Sequence, residues 1–167
     1  GRLEKIGKIH NNSKVILDYA HTPAALESAL SNLKEQFPFN KINLIFGCGG
    51  DRDLKKRPLM GKIAEKYSNE IYLTDDNPRN EKPFKIRNEI KKGIKNKRIY
   101  EIPDRKKAIQ EAVKNLKTGD ILLVAGKGHE KIQDYGKKRT FFSDQKVILS
   151  SIRAKNKFLS KNIKLNI

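Results

Sequence analysis

Ile121-Leu122-Leu123-Val124-Ala125-Gly126-Lys127-Gly128-His129-Glu130 sets five consecutive apolar residues against a polar, glycine-marked loop. An apolar run of that length, entered from the turn Thr118-Gly119-Asp120, reads as a strand. The same grammar recurs towards the N-terminus, where Lys14 to Asp18, Ile42 to Phe46, Ile71 to Thr74 and Arg98 to Ile102 also read as strands. Helical segments lie between them. Thr22 is an N-cap and Pro23 a first helical residue, and Ala24, Ala25, Leu26, Ala29, Leu30 and Leu33 form one apolar stripe. Pro58 to Tyr67 and Phe84 to Lys92 read as helices, the second stopped by Gly93. Asp104 caps a helix running to about Leu116, and Ser143 or Asp144 starts the last one. Lys131 to Phe142 holds a short polar hairpin around Tyr135-Gly136. Strands alternating with helices predict an α/β fold, a three-layer sandwich whose mostly parallel sheet of about six strands carries helices on both faces. Ligands of such sheets bind beyond the carboxyl ends of the strands. The polar loops Asp18 to His21, Gly47 to Asp53, Asp75 to Arg79 and Gly126 to Glu130 all fall there.

Composition bounds the function. A chain of 167 residues is one domain's worth. No apolar stretch approaches the roughly 20 residues of a membrane span, and the N-terminus has no apolar signal core, so nothing argues for export. One cysteine, Cys48, excludes a disulfide framework and a cysteine-based zinc site; a reducing cytoplasm is the expected compartment. The net charge of +18 invites a nucleic-acid reading. However, Lys supplies 28 of the 37 basic residues, and Lys, Asn and Ile, all with AT-rich codons, make up 61 of the 167. The lysines are spread along the chain instead of being gathered in an aromatic-interleaved patch. A basic nucleic-acid-binding module is therefore the alternative reading, supported by net charge alone. From Gln145 to Ile167 there are six basic residues and no acidic one, a basic tail whose end is expected to fray.

Each loop on its own leaves its chemistry open. Gly47-Cys48-Gly49-Gly50-Asp51-Arg52-Asp53 is equally an anion-binding nest of N–H groups and an ordinary strand-to-helix turn. Arg52 offers a planar fork to a carboxylate or phosphate. In Asp75-Asp76-Asn77-Pro78-Arg79, Pro78 holds Asn77 extended and could aim Arg79 at a ligand, although a solvated Asx/Pro turn fits as well. Gly126-Lys127-Gly128-His129-Glu130 is neither a Walker A loop nor a dinucleotide fingerprint. Glu130 could receive an ammonium or be a surface carboxylate beside Lys127 and Lys131. His21 with Asp18 could be a base with its orienting carboxylate. His10, His21 and His129 have no metal-site spacing, so no metal is expected here.

Taken together and in order, the four loops resemble one family. Asp18-Tyr19-Ala20-His21-Thr22-Pro23, Gly47 to Asp53 with Lys56-Arg57-Pro58-Leu59-Met60-Gly61, Asp75 to Arg79, and Gly126 to Glu130 are similar to the C-terminal domain of the Mur ligases, in the branch that adds the third amino acid to the peptidoglycan precursor. The likeness runs from Gly1, in a linker-like Gly1-Arg2-Leu3-Glu4, to about Arg153. It divides the chain into a ligase C-terminal domain, residues 1–153, and a basic tail, residues 154–167.

The resemblance implies a Rossmann-like domain that closes over an active site built largely elsewhere. A first domain would hold the UDP end of the precursor. A central one would carry the ATP P-loop, the magnesium ligands and a carbamylated lysine. ATP and Mg2+ are thus cofactors of a whole ligase, the other domains are its partners in cis, and this chain alone should be an inactive monomer with no catalytic residue of its own. The implied reaction passes the γ-phosphoryl group of ATP to the D-Glu side-chain carboxylate of UDP-MurNAc-L-Ala-D-Glu. The amine of meso-diaminopimelate attacks the acyl phosphate, and phosphate leaves. Arg52 matches the family arginine that grips a carboxylate of the amino acid. Asn77 and Arg79 match its Asp-Asn-Pro-Arg motif, shaped by Asp76 and Pro78. The Gly126 carbonyl and the Glu130 carboxylate match positions that hold the end of the amino acid away from the attack. Asp18 and His21, with Arg2, match the stretch that closes onto ATP. L-Lysine lacks the second carboxylate and would leave Arg79 unpaired, and lysine-using members commonly differ at that arginine.

Overall fold

The computed structural model describes residues 2–166. Gly1, the first residue of the linker-like stretch, and Ile167, the last of the tail, lie outside the described residues. The elements run β1 (Glu4–Lys5), β2 (Lys14–Asp18), α1 (Pro23–Gln36), β3 (Ile42–Phe46), α2 (Lys56–Tyr67), β4 (Glu70–Leu73), α3 (Pro83–Lys91), β5 (Ile99–Glu101), α4 (Arg105–Lys114), β6 (Ile121–Ala125), β7 (Ile132–Asp134), β8 (Arg139–Phe141) and α5 (Asp144–Leu165).

One six-stranded sheet has the order β1-β2-β6-β3-β4-β5, and β7 and β8 form a separate hairpin. Every pairing from β2 to β5 is parallel; only the two-residue β1, which sequence patterning passed over, runs antiparallel at the edge. Alternation along β6 builds the two covered faces. Ile121, Leu123 and Ala125 pack with Leu26, Leu30 and Leu33 of α1, Met60 and Ala64 of α2, and Ile86 and Ile90 of α3. Leu122 and Val124 pack with Ile109 and Val113 of α4 and Ile148 and Ile152 of α5. The result is the expected three-layer sandwich. The last strand in the series, β6, returns between β2 and β3, so the loops after β2, β6, β3 and β4 stand side by side at one sheet edge.

The caps follow the sequence. Thr22 accepts from Ala25 N, Asp104 from Lys107 N and Ser143 from Lys146 N, at 3.2, 3.0 and 3.3 Å. Helix α2 starts at Lys56, two residues before the expected Pro58, because proline is tolerated anywhere in a first turn where no N–H partner is lost. Gly93 does end α3, but not through a left-handed cap. A Cβ there would stand 2.0 Å from the Pro58 carbonyl oxygen, so the glycine serves the close approach of α3 to α2. Residues 154 to 165 are helical and complete α5. Asn156 donates to the Lys8 carbonyl at 2.8 Å and accepts from His10 N at 2.9 Å, and Lys155 donates to the Lys114 carbonyl, tying the helix to the body. Among the described residues no helix is long and apolar enough to cross a membrane.

Candidate functional site

Glycines join the loops after β3 and β4. A Cβ on Gly47 would lie 2.2 Å from the Thr74 carbonyl oxygen, and one on Gly50 would lie 1.8 Å from that of Pro78. Of the two readings open for this loop, the packing favours the turn over the anion nest, since two of its N–H groups are already engaged. Gly50 N donates to the Asn77 carbonyl at 2.8 Å, and Asp51 N to Glu81 Oε1 at 2.7 Å. Glu81 also grips the buried Arg57 through two hydrogen bonds, of 2.9 and 2.8 Å. Of that clamp the sequence motifs contain Arg57 only; nothing in the sequence marked Glu81 as its partner. Cys48 lies against Met60, Sγ to Sδ 3.6 Å, and burial pushes its thiol up to about 12, the state of a filler and not of a nucleophile.

In the loop after β4, Asp75 and Asp76 are both 6% exposed. Burial raises the pKa of each, opposed by Arg87 at Asp75 and by Arg105 and Lys127 at Asp76. Arg87 pairs with Asp75, and the Tyr135 hydroxyl reaches the same carboxylate at 3.2 Å. Asn77 is a hub. Its Oδ1 accepts from Lys127 Nζ at 2.9 Å and Asp134 N at 3.0 Å, while Nδ2 donates to Glu130 Oε2 at 3.2 Å. Pro78 is buried, against Gly50. Arg79 has a φ of 51°, its N donates to the Asp134 carbonyl, and its Nη1 donates to the Gly50 carbonyl at 2.9 Å. The β7–β8 hairpin thus helps hold a loop for which the sequence pointed only to Pro78 and local Asx bonding.

The loop after β6 meets both neighbours. Gly126 has a φ of 115°, and its N donates to the Asp18 carbonyl. Lys127, given no role of its own in the sequence beyond its place beside Glu130, is fully buried. Glu130 accepts from Tyr19 Oη at 3.2 Å through Oε1 and lies 3.3 Å from Lys127 Nζ through Oε2. His129 pairs with Glu4 at the exposed edge instead of facing the site. In the loop after β2, Asp18 does not orient His21. Its carboxylate accepts from Leu3 N at 2.7 Å and Ala20 N at 2.8 Å, while His21 Nδ1 meets the Tyr19 carbonyl. The Tyr19 ring lies edge-on to His21, centroids 4.6 Å apart.

Arg52, Asp76, Asn77, Arg79, Gly126, Glu130 and His21 line one cavity of about 200 Å3. Arg2 and Asp18 line a different one, of about 320 Å3, against Ala24, Ala25 and Ser28 of α1. Tyr19, Lys127 and the Arg57–Glu81 clamp are the parts that sequence reasoning left unassigned. Among the described residues no group of three His, Cys, Asp or Glu side chains is placed to hold a metal.

Residues 1–128 match the sequence profile of the Mur ligase, glutamate ligase domain. The chain belongs to the Mur ligase family. Among relatives of this Mur ligase domain, the UDP-N-acetylmuramoyl-L-alanyl-D-glutamate–2,6-diaminopimelate ligase of Buchnera aphidicola subsp. Baizongia pistaciae is 54% identical over 157 residues, which are 93% of this chain and 31% of that protein. The like-named enzyme of Rickettsia felis is 47% identical over 160 residues, 94% of this chain and 29% of its own. A solved structure of a ligase with that name superposes with a TM-score of 0.86 at 41% identity, covering 93% of this chain and 32% of that one. The folylpolyglutamate synthase of Thermotoga maritima shares the fold at a TM-score of 0.56 and 26% identity, over 75% of this chain and 27% of its own. The chain thus spans about a third of the length of the curated relatives it matches.

Proposed function

We propose that this Mur ligase domain is the amino-acid-recognising C-terminal part of an ATP-dependent ligase that joins meso-diaminopimelate to UDP-MurNAc-L-Ala-D-Glu. The observation that carries the reading is the meeting of Arg52, Asn77, Arg79 and Glu130, from three separate loops, around one small cavity. Two guanidinium groups and a carboxylate suit a zwitterion: Arg52 and Arg79 take its carboxylates, and Glu130 takes the ammonium of the end that does not react. Gly126 offers its carbonyl to the same end. Asp76 and Pro78 keep the motif in shape, the first from beneath the cavity and the second against Gly50. Held in this way, the other amine is presented outward, towards the acyl phosphate formed on the precursor. Binding, orientation and exclusion of water are what this domain contributes to the rate.

The nucleotide is assigned a lateral contact only. Gly50 and Asp51 already donate their N–H groups to Asn77 and Glu81, so the glycine loop does not fit a phosphate cradle. His21 at the cavity and Arg2 with Asp18 beside α1 are the candidates for closing on ATP. Its phosphates and Mg2+ belong to the rest of the ligase, which supplies the phosphoryl chemistry. The same reading makes residues 1–153 the working domain, with 154–167 as a basic extension, in a monomeric cytoplasmic enzyme.

Steady-state kinetics of the intact ligase, with Arg79→Ala beside the wild type, test it. The preference for meso-diaminopimelate over L-lysine should fall by a factor on the order of 10² or more, because Arg79 then no longer rejects the ligand that leaves it unpaired. An unchanged preference, or a rise in the KM for ATP alone, would sink the assignment.

A further inference from the structure

Lys127 is the only lysine in the buried core among the described residues, with no exposed surface at all. Its ammonium donates to Asn77 Oδ1 at 2.9 Å and Glu130 Oε2 at 3.3 Å, and it stands 3.5 Å from Asp76 Oδ1. An ammonium has three N–H donors and no acceptor. All three are used within the protein, so Lys127 has none left for a ligand.

The geometry points to Lys127 as a positioning residue for the amino-acid ligand, an inference that rests on the reading above. Two effects follow from its contacts. The first is orientation. Asn77 Oδ1 faces two donors, Lys127 Nζ and Asp134 N, and this turns Nδ2 towards Glu130. Lys127 and Asn77 then hold the same Glu130 oxygen, Oε2, from two loops. The second effect is charge. Asp76 and Lys127 are buried and neutralise each other, whereas the Glu130 side chain keeps 38% of its surface exposed. Of the three groups, Glu130 is the one whose side chain is exposed where the cavity opens. A carboxylate has about four lone-pair sites, so Glu130 can keep its protein partners and still accept from the ammonium of the non-reacting end.

The test uses the intact ligase carrying Lys127→Met. That change leaves Asp76 buried beside no ammonium, so the double variant Lys127→Met/Asp76→Asn, which removes both charges, accompanies it. In whichever variant folds, the KM for meso-diaminopimelate should rise at least about tenfold, the cost typical of losing a group that orients a ligand-binding residue. The kcat at saturation and the KM for ATP should stay within about twofold. A folded variant with an unchanged diaminopimelate KM, or with both KM values raised alike, overturns the assignment. Failure of both variants to fold also overturns it and makes Lys127 a residue of stability only. A wild-type ligase without diaminopimelate-dependent turnover would instead refute the functional reading itself, and this inference with it.

Discussion

Arg79 occupies the left-handed region of backbone space, where a residue with a long side chain is uncommon and costs free energy. The Asp134 carbonyl accepts from its N, and Gly136 fits beside its carbonyl where a Cβ would come within 2.8 Å, so the hairpin sustains the conformation. The motif residue was legible in the sequence. The hairpin of residues 131–142 was legible too, but the strain at Arg79 and the docking of that hairpin against it were not, because nothing local links position 79 to position 134. Glu81 teaches the same lesson. No motif marks it in the sequence, and the hydrogen bonds from Arg57 hold its carboxyl below the usual glutamate range. A depressed pKa stabilises the fold above the unfolded value and ceases to do so as pH falls through the folded one. Glu81→Gln should therefore cost about 1.5 kcal/mol at neutral pH, the scale of a hydrogen bond to a charged group. The difference from wild type should persist down to the ordinary glutamate pKa and close below it. Urea unfolding of both proteins at several pH values measures this; a gap that widens on acidification would contradict it.

At the scale of elements, Gly61 shows how packing reverses an intrinsic preference. It lies inside α2, where alanine is favoured over glycine by about 1 kcal/mol. A Cβ at Gly61 would stand 2.2 Å from the Ile90 carbonyl oxygen of α3, with Gly93 Cα at 3.2 Å. Backbone cannot move aside as a side-chain tip can. Gly61→Ala is thus expected to destabilise by about 1–3 kcal/mol, the cost of overpacking, despite its better propensity. Thermal unfolding decides the sign, and a raised midpoint would show that the two helices separate freely. Helix and strand identities were readable because capping residues and apolar periodicity act locally. The two-residue β1 escaped, since a pairing that short leaves no alternation to detect. The helical course of residues 154 to 165 also escaped, since it is secured by contacts with Lys8, His10 and Lys114 far away in the chain.

At the scale of the whole molecule, Arg105 and Asp144 tie α4, α5 and the end of β6 together. Neither side chain has exposed surface. Arg105 donates to both carboxylate oxygens, at 2.8 and 2.7 Å, and to the Ala125 carbonyl at 3.0 Å, next to the glycine that opens the site. Burial opposes the charge of Arg105, yet Asp144 beside it holds the guanidinium pKa above the ordinary arginine value. Removing one member leaves the other charged and buried. Arg105→Met should cost about 3–5 kcal/mol, and adding Asp144→Asn should recover part of that loss. Denaturant unfolding of the single and double variants checks the coupling, and equal losses in both would deny it.

The chain by itself determined the alternation of strands and helices, the caps, and the four loops with Arg52, Asn77, Arg79, Gly126 and Glu130, because those properties depend on neighbours a few residues apart. Only the tertiary structure decided that β6 returns between β2 and β3, which sets the four loops side by side. It also sorted the charges. Among the described residues one lysine, Lys127, is drawn into the core at the site, where Asp76, Asn77 and Glu130 come within reach of its ammonium. An isolated sequence contains the groups, but not the distances that determine whether a charge is solvated or paired.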